Sequence, residues 1–245
     1  MKKETFIKYL PYVLCVVSVI ILAFWFIGEK AEIGGEGYVL NIEEDRVTGI
    51  KISGEGEIHV VIPEGVVGIE MGSFFGKKQI VSVVIPASVE YIGYHAFVDC
   101  ESLERIEFQE NSALTDIHTS AFEGCSSLTE LKLPDGLTQL RAYAFSKCTS
   151  LKSVTLPDSL MMLGAEAFSG CTALESITIP KSVRAILREC FEGCESLSEI
   201  NFEEKEGWLV YVNSYETEFS LDLENGTEYL TSLLNKACSL YRYGE

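Results

Sequence analysis

The chain has 245 residues, is 47% hydrophobic and carries a net charge of −18. Lys2, Lys3 and Lys8 outweigh Glu4 in residues 1–28, so the remainder holds −20. Such a chain can build a core, and its charge argues against non-specific binding to nucleic-acid phosphates and against lying flat on anionic lipid.

Tyr9 to Gly28 contains no charged residue. A helix of that length rises about 30 Å, the thickness of a bilayer's hydrocarbon core. Tyr9, Tyr12 and Trp25 lie near its ends, where amphipathic rings favour the interface. Pro11 stands in the first turn, where its missing N–H is tolerated. Lysines precede the run and Glu29 follows it. By the positive-inside rule, residues 1–8 are a cytoplasmic tail, 9–28 a single-pass transmembrane helix, and the rest extracellular. A cleaved signal peptide would end in small residues, whereas this run ends Ala23-Phe24-Trp25-Phe26-Ile27-Gly28. No small residues precede Cys15 as a lipoprotein site would require; Leu14 does. The expectation is an uncleaved anchor.

Gly34-Gly35-Glu36-Gly37 reads as a flexible linker leaving the membrane. Tyr38–Ile42 and Val47–Ile52 read as strands joined by the polar turn 43–46. Residues 29–57 thus supply a linker and an N-terminal β cap, which an open solenoid end needs.

A repeat follows. Phe97, Phe122, Phe145, Phe168 and Phe191 are spaced 25, 23, 23 and 23, and so are Cys100, Cys125, Cys148, Cys171 and Cys194. Leu103, Leu128, Leu151, Leu174 and Leu197 keep the same step. A fixed period in this range marks a stacked solenoid, in which no unit buries its apolar face alone. In one coil, Leu131-Lys132-Leu133 alternates inward and outward as a short strand. Pro134 ends it, Pro134-Asp135-Gly136 is turn chemistry, Leu137 and Leu140 return inside, Ala144 lets the chain pass close, and Phe145 fills the interior. A first, degenerate coil has Ser73 and Phe74. The coil holding Gln109, Glu110, Asn111, Ser112 and Ala113 lacks the proline and is two residues longer, an insertion expected in a surface turn. The recurring cysteine reads as a small core residue, with a bridge between neighbouring rungs open on geometry. There is no C-x-x-C, and His59, His95 and His118 fall at different repeat positions, so no zinc site is expected.

Beyond Phe202 the period is lost. Trp208–Val212 and Phe219–Leu223 read as strands, with Trp208 a lid on the last rung. Leu230, Leu233, Leu234, Ala237 and Tyr241 fall on one helical face, with Asn225 and Glu228 as a capping box. Asn225-Gly226-Thr227 fits the glycosylation pattern, a weak match. Residues 203–245 are therefore expected to be a C-terminal strand-plus-helix cap.

The repeat, L-x-x-L-x-L-P-x-x-L-x-x-I-x-x-x-A-F-x-x-C, resembles the BspA-like class of leucine-rich repeats over residues 58–202. The departures are Ser73, Cys190 in place of Ala, and the proline-less coil. The resemblance implies a β-rich leucine-rich repeat solenoid, right-handed, of about six 23-residue coils. It would have a parallel sheet on one face and extended or turn segments on the other. The resemblance also implies a bacterial or protist cell-surface protein, and some such relatives are adhesins for host matrix proteins.

No nucleophile elbow, phosphate-cradling loop, H-E-x-x-H or calcium loop occurs, so the reading is non-catalytic, with no cofactor and no metal. Strand alternation names a candidate protein-binding face: Ser82, Val84, Arg105, Glu107, Glu130, Lys132, Ser153, Thr155, Ser176, Thr178, Glu199 and Asn201. At about 4.8 Å per rung these rows make a face roughly 25–30 Å long, enough for about 800 Å² of contact per partner. It lacks the Trp, Tyr and Arg clusters of interface hot spots. The expected function is a membrane-anchored, cell-surface adhesion scaffold for an extracellular protein, from host matrix or a neighbouring cell. The alternative is an envelope-structural protein that binds glycan or self-assembles.

Overall fold

A computed structural model describes residues 31–205, 208–212, 218–220 and 238–242. Residues 31–205 include a solenoid built from two parallel ladders. Each coil opens on a longer strand: β4 (Ile58–Val61), β6 (Ile80–Ile85), β8 (Arg105–Phe108), β10 (Glu130–Lys132), β12 (Ser153–Thr155), β14 (Ser176–Ile179) and β16 (Glu199–Phe202). The alternation has the expected cause: in β12, Val154 is buried between exposed Ser153 and Thr155.

The proline turns the chain. The N–H groups of Val66, Val89, Leu137, Leu160 and Val183 donate to the carbonyls of Pro63, Pro86, Pro134, Pro157 and Pro180 at 3.0–3.4 Å. Proline can serve there because the turn asks it only for an acceptor. The serine before the returning aliphatic ties coils together: Ser88, Ser159 and Ser182 donate to Val66, Leu137 and Leu160 of the coil before, at 2.6–2.8 Å.

A two-residue strand follows in each coil: β5 (Gly68–Ile69), β7 (Tyr91–Ile92), β9 (Asp116–Ile117), β11 (Gln139–Leu140), β13 (Met162–Leu163) and β15 (Ala185–Ile186). Successive members pair in parallel, in register. The chain then makes a tight double turn around the phenylalanine. Two residues per coil are left-handed there, one two places before the ring and one two places after. Tyr143 (φ 59°) and Lys147 (φ 60°) flank Phe145 in this way, and Gly72 (φ 67°) and Gly76 (φ 66°) flank Phe74.

The core is one continuous pile. Phe74, Phe97, Phe122, Phe145, Phe168 and Phe191 are all fully buried. Successive ring centroids stand 4.5, 4.9, 5.2, 5.8 and 5.9 Å apart, with ring planes within 9° of parallel. A column of five thiols runs beside the rings. Cys100, Cys125, Cys148, Cys171 and Cys194 are buried, free, and donate to the carbonyls of Phe74, Phe97, Phe122, Phe145 and Phe168 at 3.1–3.4 Å. Ser73, in place of alanine, satisfies its hydroxyl by donating to Val47 and Glu70 carbonyls. Cys190 replaces the same alanine and is fully buried.

The N-terminal end is covered by β1 (Ala31–Gly35), β2 (Tyr38–Glu43) and β3 (Arg46–Ile52), an antiparallel meander. Its last strand joins the short ladder, Arg46 opposite Gly68 and Val47 opposite Ile69. The Tyr38 hydroxyl accepts the Val61 N–H at 2.9 Å, satisfying one donor on the open edge of β4. At the other end β15 pairs antiparallel with β19 (Cys238–Arg242). That strand pairs with β17 (Trp208–Val212), and β17 with β18 (Glu218–Ser220).

Several expectations need correction. The face opposite the longer strands is a second hydrogen-bonded ladder, because inward aliphatics such as Leu140 and Leu163 leave two residues extended and paired in every coil. The supposed flexible linker is structured: Gly34 and Gly35 belong to β1, and Glu36-Gly37 form its turn into β2. The lack of a side chain at Gly34 lets the Tyr38 carbonyl approach. Tyr241, assigned to a helical face, lies in β19, where it pairs with Ala185 and Leu209; the rest of that expected helix lies outside the described residues. The second C-terminal strand already begins at Glu218 and is described as far as Ser220; 221–223 lie outside the described residues. The expected transmembrane helix 9–28 and tail 1–8 also lie outside, and no helix among the described residues is long and apolar enough to cross a membrane.

Candidate interaction surfaces

The longer strands form three pieces, β4-β6-β8, β10-β12 and β14-β16. The first break falls at the long coil, where the extra residues displace the chain between Phe108 and Leu114. The second, between β12 and β14, has no counterpart in the sequence. Of the twelve candidate residues, Arg105, Glu107, Glu130, Lys132, Ser153, Thr155, Ser176, Thr178, Glu199 and Asn201 are exposed, whereas Ser82 and Val84 are half-buried. Ser82 is engaged across the coil with His59 Nδ1 at 2.8 Å. The register sets these side chains in rows: Glu130 beside Ser153, Lys132 beside Thr155, Ser176 beside Glu199 and Thr178 beside Asn201. The rows make a polar, mixed-charge face.

The first break opens a groove of about 440 Å³, lined by Phe108, Gln109, Asn111, Lys132, Pro134 and Asp135 among others. Gln109 supplies what proline cannot, donating its N–H to the Ile85 carbonyl at 3.0 Å.

The short-ladder face and its adjoining turns have a different chemistry. Tyr91 packs its ring over Gly68 and donates its hydroxyl to Glu70 at 2.6 Å. Burial, first, and that hydrogen bond push the phenol up to about 12. Arg46 lies 3.6 Å from both Asp45 and Glu70. One coil further, Arg141 grips Asp116 through Nε and Nη2 at 2.6–3.1 Å. His118 packs against Tyr94 with centroids 4.6 Å apart and ring planes tilted by 52°, and meets Tyr91 edge-on. Its Nδ1 is buried without a hydrogen-bond partner among the described residues. Tyr143 donates to Glu166 at 2.6 Å. Met71, Phe75 and Tyr94 project here at 69%, 55% and 47% exposure.

Strand alternation does not find this cluster, because its members occupy variable positions between the aliphatic of the short strand and the Cys. A signal was present all the same. Met71 and Tyr94 stand where later coils carry Thr119, Ala142, Ala165 and Arg188, and Phe75 stands where they carry Glu123, Ser146, Ser169 and Glu192.

For metal, the nearest approach to a ligand set among the described residues is Glu166, Glu189 and Glu192, whose carboxylates lie within 4.8 Å of one another on the surface turns. Such groupings are ordinary on an acidic surface. The thiols are poor ligands and nucleophiles, since burial raises every one in the column.

Two parallel ladders around a single file of phenylalanines define a leucine-rich repeat solenoid. The BspA type leucine rich repeat region matches residues 57–171 and 115–227, with six copies of the repeat, and the chain belongs to that family. Among solved structures, it is similar to the T. pallidum leucine-rich repeat protein, at 33% identity over 71% of this chain and 84% of that one, with a TM-score of 0.56. It is also similar to a leucine-rich cell surface protein of Faecalibacterium prausnitzii, at 27% identity over 81% of this chain, with a TM-score of 0.52. The chain spans 60% of that protein's length. The pneumococcal vaccine antigen PcpA shares the fold, at 23% identity over 80% of this chain and 55% of that one, with a TM-score of 0.57. No curated protein matches the chain. Membership identifies a repeat protein of a scaffold class, of the kind that presents a binding surface to other proteins.

Proposed function

We propose that the chain is a non-catalytic, cell-surface adhesion scaffold, held in the membrane by residues 9–28 and binding an extracellular protein through its repeat domain. The observation that carries the reading is the rigid stack itself. Six phenylalanine-filled coils hold their outward side chains in fixed, in-register rows on two faces, the geometry by which solenoids build extended binding surfaces. The charge-free run with lysines before it supports the anchor. The likeness to a leucine-rich cell surface protein supports the location.

Two measurements test this. On intact cells producing the full chain, added protease should digest the repeat domain while the N-terminal tail stays protected. In detergent, the purified full chain should bind immobilised matrix or envelope proteins saturably. Protection of the repeats, or no binding above background at micromolar concentration, would sink the respective half of the proposal.

A further inference from the structure

Resting on the scaffold reading, we propose that the turns of the first two coils form the docking site, and that they take a cationic polypeptide segment in which Arg or Lys alternates with apolar side chains. Three observations converge there.

The first is apolar exposure. Among the described residues, five large hydrophobic side chains are exposed, and Met71, Phe75 and Tyr94 all fall on these two turns. The turns are bonded directly to each other: Gly72, Phe74 and Gly76 donate to Tyr94, Ala96 and Val98 at 2.8–3.0 Å. Met71 and Tyr94 therefore stand at equivalent points of neighbouring coils. Grouped apolar exposure on a soluble surface marks an interaction site, whereas scattered single residues do not.

The second is rigidity. Tyr94 packs against His118, their ring centroids 4.6 Å apart, and His118 Nε2 lies 3.9 Å from Asp116, which Arg141 grips. A ring already fixed by its neighbours loses little rotamer freedom on binding, which is why Tyr makes a good anchor.

The third is charge, and it selects the partner. Of the cations around the patch, Arg46 is engaged with Asp45 and Glu70, Arg141 with Asp116, Lys78 with Glu101 and Lys147 with Glu123; Lys77 stands two residues beyond Phe75. Glu90 and Asp99 are further exposed carboxylates, so the groups named here are seven carboxylates (Asp45, Glu70, Glu90, Asp99, Glu101, Asp116, Glu123) against five cations. The surroundings of the patch thus carry excess negative charge. An Arg or Lys gains there twice, from the carboxylates and from the rings. An acidic partner is repelled both by the rim and by a chain of net charge −18.

The experiment uses the full chain in detergent and two sets of fluorescent synthetic peptides of matched apolar content, one bearing Arg and Lys, the other Asp and Glu. Fluorescence anisotropy should show binding of the basic set only. Phe75→Ser with Tyr94→Ser leaves the charge unchanged and should weaken it by about tenfold or more, as loss of hot-spot anchors does. Glu130→Ala with Thr155→Ala on the strand face should leave it within twofold; circular dichroism checks that both variants stay folded. If the basic set fails to bind, or both sets bind equally, the inference is overturned. It is overturned equally if the Phe75/Tyr94 variant binds as well as the parent. In those cases the scaffold reading still stands if immobilised matrix or envelope proteins are captured by the same preparation, and falls with the inference if they are not.

Discussion

At the scale of single residues, the column of thiols and the pairs of left-handed positions have the clearest energetic consequences. Loss of solvent pushes Cys100 and Cys194 from an ordinary 9.0 up to about 12, and drives Cys125, Cys148, Cys171 and Cys190 up for the same reason. An unfolded chain releases these protons above pH 9, whereas the folded chain keeps them. The native state therefore binds more protons in that window. The contribution is fully present below pH 9 and is lost as pH rises toward 12, at up to about 1.4 kcal/mol per pH unit for each thiol. Six such groups rival the whole stability of a typical domain, so cooperative unfolding is expected near pH ~10. Thiolate absorbance and circular dichroism should change together; thiolate appearing while the fold is intact would contradict the buried column. The left-handed positions give a second expectation. Glu189 (φ 57°) bears a conformation that costs an L-residue about 1 kcal/mol or more, so Glu189→Gly should raise the urea midpoint. Gly170→Ala should lower it by a similar amount (φ 73°), since a Cβ there meets nothing nearer than 3.6 Å and backbone conformation alone is at stake.

At the scale of the coil, the same physics separates what was legible from what was not. Phe145 is fully buried with a ring above and a ring below. Phe145→Ala should cost about 3–5 kcal/mol, as for other buried aromatics, while exposed Lys132→Ala should change stability by about 0.5 kcal/mol or less. Comparable effects at the two sites in chemical denaturation would contradict the coil register. That register was readable because each buried position admits few residue types: only a large ring fills the coil at 145, and only a small residue fits at 144. The second ladder was not readable. Its strands are two residues long, too short to show alternation, and their outward column runs Gly68, Tyr91, Asp116, Gln139, Met162, Ala185. The left-handed site before each phenylalanine carries Gly, His, Ser, Tyr, Glu and Glu, so no residue type announces it. The Met71–Phe75–Tyr94 patch was missed for the same reason. A surface site belongs to one or two coils, and a repeat pattern reports only what all coils share. The twelve strand-face positions follow from alternation alone; their outward direction was therefore legible, but nothing in the pattern says that they bind.

At the scale of the whole molecule, two electrostatic effects oppose each other, and their sizes decide how salt acts on stability. Local pairing favours low salt: Lys78–Glu101 and Lys147–Glu123 join neighbouring coils at 2.7 and 2.8 Å. Yet both lysines are largely exposed, at 64% and 69%, and pairs held on flexible stems in water contribute little. Against them stands the net charge of −18, spread along a stack whose coils lie only about 4.8 Å apart. Carboxylates such as Glu166, Glu189 and Glu192 are crowded onto successive turns with oxygens within 4.8 Å. That repulsion acts over several coils when the Debye length is about 30 Å, and is mostly screened when it falls below about 10 Å. The repulsion is relieved when the chain expands, so it destabilises the compact state. Adding sodium chloride from about 0.01 M to about 0.15 M should therefore raise the melting temperature of the full chain in detergent. Lys78→Met should lower it only slightly at either salt. A melting temperature that falls with salt would mean that the paired cations between coils outweigh the acidic surface. The excess carboxylates beside the Met71–Phe75–Tyr94 patch would then be part of the folding balance rather than charge available for binding.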